Sequence, residues 1–460
     1  MTPNSTYWLK TFFPSRVQSS RSWQILLSLT VVVILLSPLA FWLTGIGQAA
    51  PDLPTSISYA LDGTLQSSPK AEALRSLTLP IRLERMLLYP LLLLAFQFSG
   101  LSLLMRQFVE ERGNQILAHP WLAPLRRFYQ RLPQPWRRRL GLTDLLTVFL
   151  FIVGLNLTLM ALYLPFNFYR SFIIGHQFGL STQTALGWFS DWGKSAGLQL
   201  ILEGGSWAAF FALIRAFPRR WPIIGGMLLV TFSLVLTLLT PILITPLFYR
   251  VSPLENVELR QRILNLAERA GTPVDEVYVI DASSKTTAVN AYVTGFGEAR
   301  RIVLYDTLVD GYTPDEVEVV LAHELGHWVY QHVLWSVIGL GAVGWLGLFG
   351  LRWLLQRVWQ PLGLRSAADV AGLPFILMVL YLASLLTMPV ENAVSRYGER
   401  QADAFALAVS QKPEAFIQLF EGMAEQNLSV VDPPAWEQWL FGTHPSPAER
   451  LQTARSFKIP

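Results

Sequence analysis

The sequence predicts a mainly α-helical, polytopic membrane protein with about seven transmembrane helices and one small α/β domain. Its composition supports the membrane class, because hydrophobic residues make up 52% of the chain and charged residues only 15%. A soluble chain of this size carries about 25% charged residues. The net charge of +4 is mild, so we expect the lipid bilayer but no nucleic acid as a partner.

Long apolar runs recur along the chain, and about seven reach the roughly 20 residues that a spanning helix needs. They lie at 24–46, 86–105, 143–165, 195–216, 221–247, 333–355 and 373–394. The first run resembles a signal peptide, but it is too long for a typical apolar signal region, so we expect a retained anchor. The fourth run contains Glu203, and a carboxylate inside a membrane usually faces a cavity or a partner.

Arginine is concentrated between the second and third runs, and further arginines flank other runs on the same side. The arginines of this segment are Arg106, Arg112, Arg126, Arg127, Arg131, Arg137, Arg138 and Arg139. Since Lys and Arg favour cytoplasmic loops, this side is expected to face the cytoplasm. The polar blocks 248–332 and 395–460 then share the non-cytoplasmic face of the cell membrane, which is the inner membrane in a bacterium.

The block 248–332 has the pattern of a small α/β unit. We expect an amphipathic helix at 255–270 that stops at Gly271. The expected strands are Val277–Ile280, Ala288–Val293 and Arg301–Tyr305. Thr313, Pro314 and Glu316 then form the capping signature that begins a new helix.

That new helix carries the sequence His323-Glu324-Leu-Gly-His327, an H-E-x-x-H motif. Residues four apart lie on one face of a helix, so both imidazoles can bind one zinc ion. Glu324 lies beside them and can take a proton from a water that the zinc activates. The alternative is a chance match on an amphipathic helix, but the capped helix after strands favours the metal site.

A catalytic zinc site usually has three protein ligands. The chain has no cysteine, so the third ligand must be a histidine or a carboxylate. His332 is poorly placed on a continuous helix, His119 lies on the opposite side, and His176 has no ligand spacing around it. Glu399 and Asp403 lie four apart after the last apolar run, so one can ligate while the other orients a histidine; an ordinary solvated helix surface is the alternative.

At these residues the chain resembles the Ste24-type CAAX prenyl proteases, membrane zinc endopeptidases of the M48 class. The resemblance rests on His323–Trp328, Asn290–Gly295, Arg301–Leu308, Ser395–Asp403 and His444–Arg450. It implies that His323, His327 and Glu399 bind one zinc ion per chain and that Glu324 is the general base. It also implies roles for Asp403 beside the ligands, for His444 and Arg450 at the oxyanion or substrate, and for Asn290 and Ala291 on a strand that pairs with the substrate.

The sequence therefore predicts four segments. They are an N-terminal membrane region at 1–247 with about five spanning helices, an α/β catalytic segment at 248–332, two further spans at 333–394, and a C-terminal catalytic segment at 395–460. The predicted function is zinc-dependent cleavage of peptide or protein substrates, with prenylated CAAX peptides and membrane-associated quality-control substrates as the two classes. A metal-containing transporter or a scaffold is the alternative from another class.

Overall fold

The computed structural model describes residues 52–458 except for 62, 135–136, 138–140, 275 and 295–300. The expected first span at 24–46 lies outside the described residues. The membrane helices and their neighbours come first along the chain. They are β1 (Ser58–Tyr59), β2 (Leu65–Gln66), α1 (Pro69–Phe98), α2 (Leu101–Ala118), α3 (Ala123–Arg131), α4 (Leu142–Phe168, continued to Gln177), α5 (Ala185–Ala216) and α6 (Trp221–Leu239, continued to Phe248).

The second half holds the small sheet and the remaining helices. They are β3 (Val251–Pro253), α7 (Val257–Arg269), β4 (Glu276–Ile280), β5 (Ala291–Thr294), β6 (Arg301–Tyr305), α8 (Asp306–Gly311), α9 (Pro314–Val329), α10 (His332–Val358), α11 (Leu373–Ser410), α12 (Pro413–Gln426), α13 (Ala435–Phe441) and α14 (Pro447–Ser456). The class predicted from the sequence, mainly helical with membrane spans and a small mixed unit, is confirmed.

Five of the described helices are long and apolar enough to cross a membrane, namely α4, α5, α6, α10 and α11 with their continuations. The second predicted run, 86–105, differs from the expectation of one straight span. It is divided between α1 and α2, which are bent by 68° at Gly100, a residue with φ of +84°. Only glycine adopts that backbone conformation at little cost, so the bend is encoded locally. The pair adds a sixth span if it is counted as one.

The small sheet is mixed and has the strand order β3-β4-β6-β5. β4 and β6 are parallel, while β3 and β5 pair antiparallel at the two edges. Helix α7 ends at a C-terminal turn where Gly271 has φ of +68°, as the sequence indicates. The sequence did not predict β3, whose three residues are too few for a clear alternation.

One hydrophobic core joins this sheet to the C-terminal helices. Ile263 of α7 and Ile302 of β6 are fully buried in it together with Leu321 of α9. Ala406 of α11 and Phe416 of α12 belong to the same core. Because the core needs residues from both sides of the last two spans, the two predicted catalytic segments fold against each other.

The connection between α4 and α5 also contacts the sheet region. Ser181 forms an isolated antiparallel bridge with Thr286, and the Thr182 amide donates to the Lys285 carbonyl. The Lys285 ammonium also pairs with Asp191 at the start of α5. These contacts hold the membrane helices in register with the segment that carries the metal-site candidates.

Candidate metal centre

Helix α9 places the two histidines, and its first turn is closed as the sequence indicates. The Thr313 amide donates to the Glu316 carboxylate at 2.7 Å, and the Glu316 amide donates back to the Thr313 hydroxyl at 3.4 Å. This capping box satisfies two amides that would otherwise lack partners. Ten residues further along, His323 is buried and His327 is partly exposed, with their Nε2 atoms 3.1 Å apart.

Glu399 of α11 is the carboxylate that meets these histidines. Its two oxygens lie 3.3 Å from His323 Nε2 and 3.3 Å from His327 Nε2. Ligand atoms of the three residues all lie within 4.8 Å of one another. Helix α11 is continuous from Leu373 to Ser410, so the last span and the third ligand candidate share one helix.

In both imidazoles, the hydrogen bond made by Nδ1 determines whether Nε2 carries a proton. His323 Nδ1 lies 2.9 Å from the Asp403 carboxylate, to which it donates a hydrogen bond. His327 Nδ1 lies 2.9 Å from His332 Nδ1, and His332 Nε2 lies 3.2 Å from Gln401 Oε1. Since the Gln401 oxygen accepts from His332 Nε2, His332 Nδ1 accepts from His327 Nδ1. The Nε2 atoms of His323 and His327 are therefore unprotonated, and each has a lone pair that can bind a metal ion.

These donors fit a divalent cation. Two imidazole lone pairs and a carboxylate converge, and the buried Glu399 Oε2 has no hydrogen-bond donor among the described residues. Burial lowers the pKa of His323, but the neighbouring carboxylates of Asp403 and Glu399 raise it to about 9. The pocket therefore favours positive charge at this point. Two histidines and one glutamate are a ligand set typical of catalytic zinc.

Gly326 explains how α9 and α11 come close enough for this convergence. A Cβ atom at Gly326 would lie 3.0 Å from the Ala402 Cα and 3.2 Å from the Phe405 Cβ. The motif glycine is therefore required by the helix contact. Sequence reasoning did not assign it a role, because the contacting residues Ala402 and Phe405 are more than 70 residues away in the chain.

His332 differs from the expectation. A continuous helix would carry it away from His327, but α9 ends at Val329, Tyr330 is its C-cap, and Gln331 has φ of +54°. This left-handed residue turns the chain so that α10 begins with His332 against His327 Nδ1. His332 is thus no member of the ligand group, but it contacts one of the ligand candidates directly.

Glu324 is half-buried on the same turn of α9 as the two histidines. Burial raises the pKa of its carboxyl above the ordinary value, while the neighbouring charges of His323 and His327 lower it. A carboxylate whose proton affinity is increased by burial suits a group that takes up and returns a proton.

Arg450 of α14 lies behind the histidines rather than in front of them. Its guanidinium donates to both Asp403 oxygens, at 2.8 and 2.6 Å, and stacks 3.9 Å from the Phe420 ring. It is 8% exposed and lies 3.5 Å from Glu399 Oε2. A two-pronged contact of this kind fixes the Asp403 carboxylate, which in turn orients His323.

His444 approaches the centre from the open side. Its Nε2 lies 3.5 Å from Glu399 Oε1, its side chain is 59% exposed, and Nδ1 is 2.8 Å from the Thr443 hydroxyl. Arg396 of α11 holds the preceding turn by donating to the Gln438 and Gly442 carbonyls. The sequence motif that contains Arg396 gave no hint of this role.

Asn290 and Ala291 lie where β5 begins, at the edge of the sheet. The Tyr305 amide of β6 donates to the Asn290 carbonyl, so by alternation the backbone of Ala291 faces the open edge. The Ala291 amide donates to the side-chain oxygen of Asn290 at 2.8 Å. The other two histidines considered above lie elsewhere, since His119 follows α2 and His176 contacts the Phe172 carbonyl at the end of α4.

A cation-binding group of two histidines and a glutamate, beside a second glutamate and among membrane-spanning helices, defines a membrane metallopeptidase. Comparison with protein families gives the same class. Residues 253–458 match Peptidase family M48, and residues 107–250 match a family described as "CAAX prenyl protease N-terminal, five membrane helices". The chain belongs to peptidase family M48 and is a multi-pass membrane zinc metalloprotease homologous to CAAX prenyl proteases.

Curated relatives support this membership. An uncharacterized metalloprotease, YhfN of Bacillus subtilis, is 35% identical over 66% of this chain and 72% of its own length. CAAX prenyl protease 1 of Saccharomyces cerevisiae is 32% identical over 63% of this chain and 67% of its own. The crystal structure of S. mikatae Ste24p has the same fold, with a TM-score of 0.64, 24% identity, and coverage of 80% of this chain and 99% of that one. The resemblance seen in the sequence is therefore confirmed.

Proposed function

We propose that this metalloprotease is an endopeptidase in which Glu324 is the general base and His323, His327 and Glu399 hold one zinc ion per chain. The observation that carries the proposal is the convergence of two imidazole lone pairs and the Glu399 carboxylate beside Glu324. When bound, zinc supplies Lewis-acid polarisation of the reacting carbonyl and of the attacking water.

The protein residues divide the remaining work. Glu324 accepts a proton as the water oxygen approaches the scissile carbonyl, and later gives it to the leaving amine. The exposed ring of His444 is placed to donate a hydrogen bond to the developing oxyanion. Asp403 keeps the His323 ring oriented, and the contacts of Arg450 favour a positioning role through Asp403 over direct contact with the substrate.

The open edge of β5 supports the proposal that the substrate binds as an added strand. Asn290 and Ala291 would then contact the substrate backbone. Because strand pairing uses backbone hydrogen bonds, it would not depend on the side chains of the substrate. The C-terminal catalytic segment at 395–460 would complete a single peptidase unit with 248–332, since both contribute to one core.

Two substrate classes fit this site, prenylated C-terminal CAAX peptides and misfolded or membrane-associated proteins. The relative from Saccharomyces cerevisiae is named CAAX prenyl protease 1, which favours the first class. A metal-containing transporter or a scaffold needs no Glu324 beside the ligands, so these alternatives have less support. The arginine distribution supports a non-cytoplasmic catalytic face.

A peptide panel tests the proposal. Purified full-length protein is incubated with matched prenylated and unprenylated peptides, with and without a zinc chelator. Chelator-sensitive cleavage that zinc restores supports the endopeptidase, and cleavage of the prenylated peptide alone supports CAAX processing. Failure of the zinc-loaded protein to cleave any peptide would contradict the proposal.

A further inference from the structure

Two adjoining cavities lie among the membrane helices, with volumes of about 990 and 1260 Å³. Arg82, Arg85 and Arg170 line both of them. Arg82 and Arg85 are three residues apart on α1 and so share a face, while Arg170 lies on the turn that continues α4. Because all three side chains border both cavities, we treat these guanidinium groups as one cluster of positive charge.

The acidic groups that line the same cavities are already satisfied by other partners. Glu437 accepts from Arg75, with a distance of 3.1 Å to its Nε atom. Asp191 pairs with Lys285 and Lys194.

Glu203, the intramembrane carboxylate expected to face a cavity, does line the larger one. Its two oxygens accept from Asn156 at 2.9 Å and from Gln199 at 2.8 Å. None of the acidic residues that line these two cavities is therefore paired with Arg82, Arg85 or Arg170.

Three like charges near one another repel, and the repulsion is relieved when an anion binds between them. Guanidinium groups are especially suited to a carboxylate, which they bind through two parallel hydrogen bonds. Two of the guanidinium groups also lie over aromatic rings, with Arg82 5.0 Å from the Phe441 ring and Arg85 5.8 Å from the Tyr163 ring.

The cluster is also connected to the metal centre. Phe441, which contacts Arg82, is three residues before His444, and His444 lies 3.5 Å from Glu399. Phe441 and Thr443 line the larger cavity together with the three arginines. From these contacts and the reach of an extended chain, the cluster and the metal centre are separated by at most about eight residues of extended peptide.

We propose that Arg82, Arg85 and Arg170 form a recognition site for the C-terminal carboxylate of the peptide substrate, which sets the distance from the chain end to the bond that is cleaved. The inference rests on the proposed peptidase function and adds a specificity element to it. It makes the enzyme selective for bonds close to a free C-terminus, whatever the side chains in between.

Three versions of one cleavable peptide test this site with the full-length zinc-loaded protein. The first has a free C-terminal carboxylate, the second a C-terminal amide, and the third a polar C-terminal extension of about twelve residues that moves the carboxylate out of reach. For the wild type we expect kcat/KM to be about tenfold higher for the free acid than for the amide or the extended peptide. Mass spectrometry should place the cleaved bond within about eight residues of the free C-terminus.

The arginines are then replaced together in the variant Arg82→Gln/Arg85→Gln/Arg170→Gln. The ratio of kcat/KM between acid and amide should fall towards one, because only the free acid loses its anchor. Arg75→Gln is the matched control, since Arg75 lies on the same helix and lines the smaller cavity but is already paired with Glu437. It should keep the wild-type ratio, and bound zinc measured in every variant verifies that the metal centre is intact.

The outcomes separate this inference from the proposed function. Cleavage of acid and amide at equal rates by the wild type would overturn the carboxylate site while leaving the peptidase in place. An equal loss for both peptides in the triple variant would also overturn it and would assign the cluster to a structural role or a lipid phosphate. If the wild type cleaved none of the three peptides, the result would contradict the proposed peptidase function itself, on which this inference rests.

Discussion

Glu399 is the residue on which the metal centre depends most. It supplies the only carboxylate in the candidate ligand group, and its two oxygens lie at equal distances from the two histidine nitrogens. Without Glu399, the site would have only the two histidine ligands of α9, and no ligand from α11. A two-ligand site binds zinc far more weakly than the three-ligand sites of catalytic zinc proteins.

We expect Glu399→Ala to lose zinc on dialysis while the protein remains folded, because the hydrophobic core behind the site is unchanged. Metal content measured by mass spectrometry after dialysis against a weak chelator checks this. Glu391→Ala is the control, since Glu391 is exposed on the same helix and contacts only the Thr387 hydroxyl among the described residues. Equal zinc content in the two variants would move the third ligand elsewhere.

His332 is a second residue whose effect can be measured separately. Its contact with His327 Nδ1 fixes the tautomer in which Nε2 faces the ligand group. Loss of such an orienting partner typically costs 10- to 100-fold in metal affinity, so His332→Ala should weaken zinc binding by about that factor. Competition with a chelator of known affinity measures it, and His176→Ala serves as the control. Unchanged affinity in His332→Ala would show that the contact does not orient the ring.

At the level of elements, the site is the crossing of α9 and α11. The capping box begins α9 at a defined residue, the close approach at Gly326 sets the helix separation, and the Asp403–Arg450 pair ties both to α14. The geometry of the ligands is therefore determined by packing between helices rather than by a loop. Sites on packed helices hold their geometry more tightly than sites on loops.

Gly326→Ala should disturb this crossing, because the new methyl group meets the backbone of Ala402 and cannot be relieved by a side-chain rotation. We expect a loss of about 1–3 kcal/mol in stability and weaker zinc binding. Thermal unfolding and zinc titration measure the two effects. Gly347→Ala is the matched control, since a Cβ at this position of α10 has no atom within 4 Å. Wild-type zinc affinity in Gly326→Ala would show that the two helices tolerate a wider separation.

A feature can be predicted from the sequence when it depends on neighbouring residues, and not when it depends on contacts between distant parts of the chain. The apolar runs, the capping signature and the spacing of His323 and His327 are local, so they could be predicted. His332 lies outside the ligand group as predicted, but its contact with His327 could not be predicted, because one left-handed residue, Gln331, interrupts the helix. Glu399 could be proposed only as one of two carboxylates, since its meeting with α9 depends on tertiary packing. Arg82, Arg85 and Arg170 have no shared motif, and only the fold brings them together.

In the whole molecule, the arginine-rich contacts and the small sheet lie at opposite ends of the membrane helices. Arg106 forms a buried pair with Asp369, Arg215 lies 3.3 Å from Asp144, and all four residues lie at one end of the membrane helices. The bridge between Ser181 and Thr286 lies at the other end, beside the sheet. The arginine-rich end is the one that the charge bias assigns to the cytoplasm.

This orientation can be tested directly because the chain has no cysteine. We expect Glu414→Cys, at an exposed position of α12, to react with a membrane-impermeant maleimide in intact cells or spheroplasts. Arg112→Cys, at an exposed position of α2, should react only after permeabilisation. The opposite labelling pattern would place the metal centre on the cytoplasmic face.

The most direct test of the central claim combines zinc content and peptide cleavage in Glu324→Gln. Since Glu324 is no member of the ligand group, the variant should retain zinc at the wild-type level of one ion per chain. It should lose essentially all cleavage, because glutamine cannot accept the proton. Glu414→Gln is the control with the same chemical change on an exposed surface, and it should keep both properties. Normal turnover by zinc-loaded Glu324→Gln would contradict the account.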